Sequence, residues 1–83
     1  MTVTVYTLPN CVQCDSTKRM LTRGMIDFTE VDLSQDNEAL AKIREWGYSQ
    51  APVVEYDNQH WSGFRMERVQ GIITAEKKKA QHD

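Results

Sequence analysis

The chain of 83 residues is sparing with cysteine, proline, histidine and glycine, and with long apolar runs. Each scarcity excludes something. There are two cysteines, and only Val12 and Gln13 separate Cys11 from Cys14. A bridge across so short a loop removes little entropy from the unfolded chain, so this pair does not brace the fold. Zinc asks for four ligands, and beyond the cysteines the two histidines are His60 and the distant His82. The apolar stretches fall far short of the ~20 residues of a membrane span. Ten Lys and Arg stand against twelve Asp and Glu, for a formal net charge of −2. No basic patch interleaved with aromatics appears, so nucleic acid is not an expected partner. No repeat, low-complexity segment or linker is visible. The opening residues 1–5 carry neither a basic leader nor a cleavage-site pattern. The expectation is one domain, cytoplasmic and monomeric, in a compartment where a lone CxxC reads as redox or metal chemistry.

What is present is a regular alternation of patterns. Thr2 to Thr7 is rich in β-branched residues and predicts a strand, Val3 and Val5 on one face, Thr4 and Tyr6 on the other. Asn10 is a candidate N-cap with Gln13 completing a capping box, and Cys11 to Arg23 predicts a helix whose inner face is Cys14, Thr17 and Leu21. Gly24 fits a C′ glycine, and Asp15 can pair with Arg19 one turn on. Phe28 to Leu33 predicts a second strand. Ser34 or Asp36 can cap a second helix that carries Ala39, Leu40, Ile43 and Trp46 at helical spacing and ends at Gly47. Val53 to Tyr56 and His60 to Gly63 predict a hairpin across Asp57-Asn58-Gln59. Met66, Val69, Ile72 and Ile73 mark a last helix, with Gly71 inside it. The domain is expected to span residues 1–76, with 77–83 as a polar, frayed tail. The order βαβαββα is that of an α/β protein built on one sheet flanked by helices.

The CxxC pair falls where a strand ends and a helix begins, and that placement carries the chemistry. The N–H groups and positive dipole end of a helix N-terminus stabilise a thiolate and lower the pKa of Cys11. A thiolate is the attacking species in disulfide exchange, and Cys14 sits one turn deeper on the same helical face. Cys11 is therefore the expected nucleophile and Cys14 the expected resolving thiol. Asp15 opposes a thiolate only if it faces the sulfurs, and otherwise is a first-turn acid that favours the helix.

Val5-Tyr6-Thr7-x-Pro9-x-Cys11-Val12-Gln13-Cys14 resembles the active-site segment of the NrdH redoxins. Gln50-Ala51-Pro52-Val53-Val54 resembles the second signature of that family, and Trp61-Ser62-Gly63-Phe64-Arg65 the third. The three segments stand in family order and the resemblance spans about Thr2 to Val69. It implies a thioredoxin/glutaredoxin fold with a four-stranded mixed sheet of order 2-1-3-4 and three helices. It implies a dithiol electron carrier with a redox-active Cys11–Cys14 disulfide and no bound cofactor or metal. Electrons come from NADPH through thioredoxin reductase and go to protein disulfides, class Ib ribonucleotide reductase among them, through its large subunit. It also implies a cis Ala51–Pro52 bond against the disulfide, where the residues alone suggest an ordinary edge-strand proline. Such a turn frees the Ala51 backbone to pair with an extended substrate. Val12, Gln13, Ala51, Pro52 and Trp61 are then the expected partner contacts, with core packing as the alternative for Trp61. Ser62, Gly63, Phe64 and Arg65 are signature positions without an assigned chemical role. Two positions depart from the pattern: Leu8, where many members carry a basic residue, and Met66, where proline is usual.

Two other functions are open to the same residues. A glutathione-dependent glutaredoxin commonly has Cys-Pro-Tyr-Cys, a basic residue just before it and Gly-Gly-x-Asp after the fourth strand. Here Leu8 and Ser62-Gly63-Phe64-Arg65 stand at those places, without the cation and acid that hold the charged ends of glutathione. A metal or iron–sulfur module would need a dimer or external thiols to complete its ligands.

Overall fold

A computed structural model describes residues 2–80 of the chain. The elements are β1 (Val3–Thr7), α1 (Val12–Arg23), β2 (Phe28–Asp32), α2 (Asn37–Glu45), β3 (Val53–Tyr56), β4 (Gln59–Ser62) and α3 (Met66–Ala80). The strands form one mixed sheet in the order β2-β1-β3-β4. β1 runs parallel to β2, Val5 opposite Glu30, and antiparallel to β3, Val5 opposite Val54. β3 and β4 form a hairpin with Val54 opposite Trp61. Its two-residue turn places Asp57 and Asn58 at φ 52° and 62°, the left-handed pair that suits a twisted hairpin and that Asp and Asn tolerate.

The two faces of the sheet bury different cores. Val3, Val5, Val54, Tyr56 and Trp61 meet Leu21 of α1 and Val69, Ile72 and Ile73 of α3. On the other face Tyr6 and Val53 meet Ala39 and Ile43 of α2, with Leu33 beside them. Beyond α2 this second face is closed by an aromatic layer: Trp46 stacks on His60 with ring centroids 4.0 Å apart, and the Tyr48 hydroxyl lies 2.8 Å from His60 Nδ1.

The helix ends differ instructively from the sequence expectation. α1 is capped by Cys11, with extended φ and ψ, while Asn10 sits in the left-handed region at φ 59° and makes the turn before it. At the far end Gly24 is the C-cap, and Met25, at φ 61°, takes the left-handed C′ position. The Ile26 N–H reaches Leu21 O and the Met25 N–H reaches Thr22 O, closing a Schellman motif. Glycine at 24 answers to packing instead. A Cβ there would lie 2.6 Å from Cδ1 and Cγ1 of Ile73, so α1 and α3 approach through the missing side chain. Asp36 caps α2 by accepting from the Ala39 N–H at 3.0 Å, and Gly47 at φ 90° supplies its left-handed C′ residue.

The segment expected to fray is helical as far as Ala80. The Tyr56 hydroxyl donates to Glu76, and Lys79 pairs with the same carboxylate at 3.2 Å, which ties this end of α3 to the sheet. Residues 81–83, including His82, lie outside the described residues. Asp15 pairs with Lys18 at 3.8 Å rather than with Arg19. No helix among the described residues is long and apolar enough to cross a membrane.

Gly24 and Gly71 should respond oppositely to alanine. Gly24→Ala should destabilise by about 1–3 kcal/mol through overpacking against Ile73. Gly71 is exposed on α3, and a Cβ added there would meet nothing within 4 Å, so Gly71→Ala should stabilise by about 1 kcal/mol. Urea denaturation of the two variants checks both signs.

Candidate functional site

β1 ends at Thr7, and Leu8 to Asn10 swing the chain so that Cys11 meets the first turn of α1. Cys11 and Cys14 are joined as a disulfide, with Cα atoms 5.2 Å apart. The Cys11 sulfur is itself the capping atom: it accepts the Cys14 backbone N–H at 3.2 Å. This is the anion-binding geometry of a helix N-terminus with sulfur in the anion's place. Cys14 is 1% exposed, whereas Cys11 is partly exposed and Val12 beside it is 79% exposed. One sulfur therefore faces solvent and the other faces the core. Asp15 is exposed and pairs with Lys18, as a first-turn acid on the solvent side of the helix.

The Ala51–Pro52 bond is cis, and the Ala51 carbonyl oxygen lies 3.8 Å from the Cys11 sulfur. Pro52 is buried, Ala51 partly exposed. The third segment fastens this loop to the helix. Ser62 Oγ donates to Gln50 O at 3.0 Å, and the Gly63 N–H donates to Pro52 O at 2.7 Å. The Phe64 N–H donates to Gln13 Oε1 at 3.0 Å, and Arg65 Nε donates to Ser62 O at 3.2 Å. Gly63 holds φ 88°, a conformation that other residues rarely adopt. The signature Ser62-Gly63-Phe64-Arg65 is thus a clamp that joins the three matched segments around one disulfide.

Several expectations are refined by this geometry. Gln13, read as a capping-box partner, bridges instead to a backbone N–H far along the chain. Nothing in the sequence signals a contact at that separation. Trp61 is 5% exposed and packs in the core with the Arg68 guanidinium 5.0 Å from its ring, so the core-packing alternative describes it and it offers no surface to a partner. Phe64 is partly buried against the same core. Sequence reasoning also missed the brace beneath the site. Glu30 on β2 accepts from Thr7 Oγ1 at 2.9 Å and from Lys18 Nζ at 3.0 Å, tying β1, β2 and α1 together just below the turn. The Lys18 ammonium, with help from Thr7, holds the Glu30 carboxyl below its ordinary range. Among the described residues no group of three or more His, Cys, Asp or Glu gathers as a metal site. His60 is engaged by Trp46 and Tyr48 in the aromatic layer.

A thioredoxin fold with a disulfide at the N-terminus of α1 and a cis-proline loop against it defines a thiol–disulfide oxidoreductase. The glutaredoxin family model matches residues 3–61. The glutaredoxin-like protein NrdH of Escherichia coli K12 is 38% identical over 75 residues, which cover 90% of this chain and 93% of that protein. The NrdH of Lactococcus lactis subsp. cremoris is 40% identical over 63 residues, 76% of this chain and 88% of that one. Among solved structures, the NrdH-redoxin of Escherichia coli, described there as glutaredoxin-like with a thioredoxin-like activity profile, superposes with a TM-score of 0.84. It is 36% identical and covers 87% of this chain and 95% of that one. The glutaredoxin of Archaeoglobus fulgidus superposes at 0.76 with 25% identity, covering 86% of this chain and 84% of that one. The chain belongs to the glutaredoxin family and, within it, to the glutaredoxin-like NrdH redoxins, with Cys11 and Cys14 as its redox-active pair.

The clamp and the brace can each be tested. Gln13→Ala removes the acceptor of the Phe64 N–H, so hydrogen exchange at that amide should quicken roughly 2- to 10-fold, as expected for loss of a bond worth about 0.5–1.5 kcal/mol. Amides of β1 should not respond. A depressed carboxyl contributes stability above its unfolded pKa and loses it as pH falls through the folded value. Lys18→Gln should therefore be less stable than the wild type at pH 7, and the gap should close as pH drops below the carboxylate range of about 4. Thermal unfolding across pH measures it.

Proposed function

We propose that the protein is an electron-carrying dithiol redoxin that thioredoxin reductase reduces at the expense of NADPH. In the reduced form the Cys11 thiolate attacks one sulfur of a substrate disulfide, and the substrate's other sulfur leaves as a thiolate. The Cys14 thiolate then attacks Cys11 in the mixed disulfide and releases the second substrate thiolate. Two electrons have moved from the redoxin to the substrate, and the two released thiolates take up protons according to their pKa. The roles follow exposure: an incoming disulfide can reach Cys11, while Cys14 lies behind it. The Ala51 backbone at the cis-proline turn pairs with the extended substrate segment, and Val12, Gln13 and Pro52 border it. The expected physiological substrate is the large subunit of class Ib ribonucleotide reductase, and the expected location is the cytoplasm.

The observation that carries the choice of thioredoxin reductase over glutathione is the clamp after β4. Its backbone N–H groups at Gly63 and Phe64 are already committed to Pro52 O and Gln13 Oε1. They are not free to receive a small ligand's carboxylate, and the nearby Leu8 brings no cation. Recognition of a doubly charged tripeptide needs such charge-assisted partners.

NADPH consumption with a protein disulfide separates the two electron supplies. Turnover is expected with thioredoxin reductase and not with glutathione plus glutathione reductase; turnover with glutathione alone would contradict the proposal. With the ribonucleotide reductase large subunit as acceptor, Cys11→Ser should abolish electron delivery. Cys14→Ser should accumulate a covalent mixed disulfide visible by non-reducing electrophoresis. Full activity of Cys11→Ser would overturn the assignment of roles.

A further inference from the structure

The positive charges of α1 do not form one uniform face. Lys18 is spent on Glu30 and Asp15. Arg19 and Arg23 have no acidic partner among the described residues and are exposed. They lie on one stripe with Val12 and Ser16, since positions 12, 16, 19 and 23 recur at helical spacing. The stripe begins between the two cysteines and runs away from them. Beside it a groove of about 210 Å³ opens between α1 and the start of α3. It is lined by the apolar Met20, Phe64 and Met66 together with Ser16, Arg19 and Arg23. Met66 is 61% exposed.

We infer that this groove reads the sequence next to the reactive cysteine of the substrate: it takes an apolar side chain, and Arg19 and Arg23 take acidic ones. The inference rests on the proposed disulfide-reductase role and adds its substrate class, a protein segment with acids beside its cysteine. Two features commit it to that occupant. Ser16, which lines the groove, lies one turn from the exposed Val12 beside the cysteines, and the charged side chains of the lining, Arg19 and Arg23, are of one sign within a chain whose net charge is negative. Helix rise places Arg19 about 10 Å and Arg23 about 16 Å from Val12 along the axis. An extended segment advances about 3.3 Å per residue, so the matching acids sit roughly three and five residues from the cysteine. The contribution is chiefly to encounter rate and orientation, as for other exposed charge pairs, and salt screens it.

The test uses capped peptides with a central cysteine, held as a mixed disulfide with mercaptoethanol, and a leucine two residues away. One peptide has glutamates, its counterpart lysines, at the third and fifth positions on either side of the cysteine. Single-turnover rate constants are measured with the dithiol protein. The glutamate peptide should react ~10-fold faster than the lysine peptide at about 0.01 M salt, and the ratio should approach one near 1 M. In the double variant Arg19→Glu, Arg23→Glu the ratio should invert. Replacing the peptide leucine by serine should slow the wild type several-fold. Equal rates for the two charged peptides, a ratio indifferent to the double variant, or indifference to the leucine would each overturn the inference. Mercaptoethanol disulfide alone, which carries no charge and no segment, reports separately on the redox reaction. Its reduction by the wild type together with equal peptide rates would remove the groove and leave the disulfide-reductase role standing. Failure to reduce it would count against that role itself.

Discussion

The structure turns on the hydrogen bond from the Cys14 N–H to the Cys11 sulfur. A helix must satisfy or solvate its first N–H groups, and most do so with an oxygen from Ser, Thr, Asp or Asn. Here the capping atom is also the reactive one. Because the cap lies at the exit of the central strand β1, its position is set by the sheet register and by the Val3 and Val5 side chains beneath it. Burying Cys14, Thr17 and Leu21 then fixes the rotation of α1, which leaves Cys11 and Val12 outward and Cys14 inward. The fold thus differentiates two chemically identical thiols by burial and by placement on a helix end.

The rest of the site's geometry serves to hold a loop against that sulfur. The cis Ala51–Pro52 turn has little regular structure of its own, as it lies between the end of α2 and the start of β3. Its carbonyls at Gln50 and Pro52 are taken up by Ser62 and Gly63, and the clamp is closed by Gln13 from α1 itself. Loop residues that would otherwise be solvated and variable are thereby tied to rigid elements, which is what a binding edge requires. The same bonds commit the backbone donors of Gly63 and Phe64, and the proposed preference for protein disulfides over a tripeptide thiol rests on that commitment.

Much of this was legible in the residues. Alternation in Val3 to Tyr6 and the helical spacing of Leu21, Ile43, Val69 and Ile72 report burial directly, because periods of two and about 3.6 are geometric consequences of strand and helix. The CxxC chemistry follows from its place at a strand–helix junction. What was not legible depends on contacts distant in sequence. Cys11, not Asn10, caps the helix because Asn10 takes the left-handed turn. Gly24 reads as a C′ glycine but takes the C-cap position, with Met25 at C′, and the close approach of Ile73 of α3 is what excludes a side chain there. Gln13 reads as a local cap but serves Phe64. Lys77 to Lys79 read as a solvated tail, yet Tyr56 anchors the turn at Glu76 and the helix continues. The cis bond and the order of the sheet came from family resemblance, since composition and periodicity carry neither.

The claim that a backbone N–H at the helix N-terminus prepares Cys11 for attack is open to one direct measurement: the pH dependence of alkylation of the reduced protein by iodoacetamide, with the modified cysteine identified by mass spectrometry. Capping by the Cys14 N–H predicts that Cys11 reacts first, with an inflection below the ordinary thiol value of about 8.5. An inflection at or above that value, or preferential modification of Cys14, would contradict it.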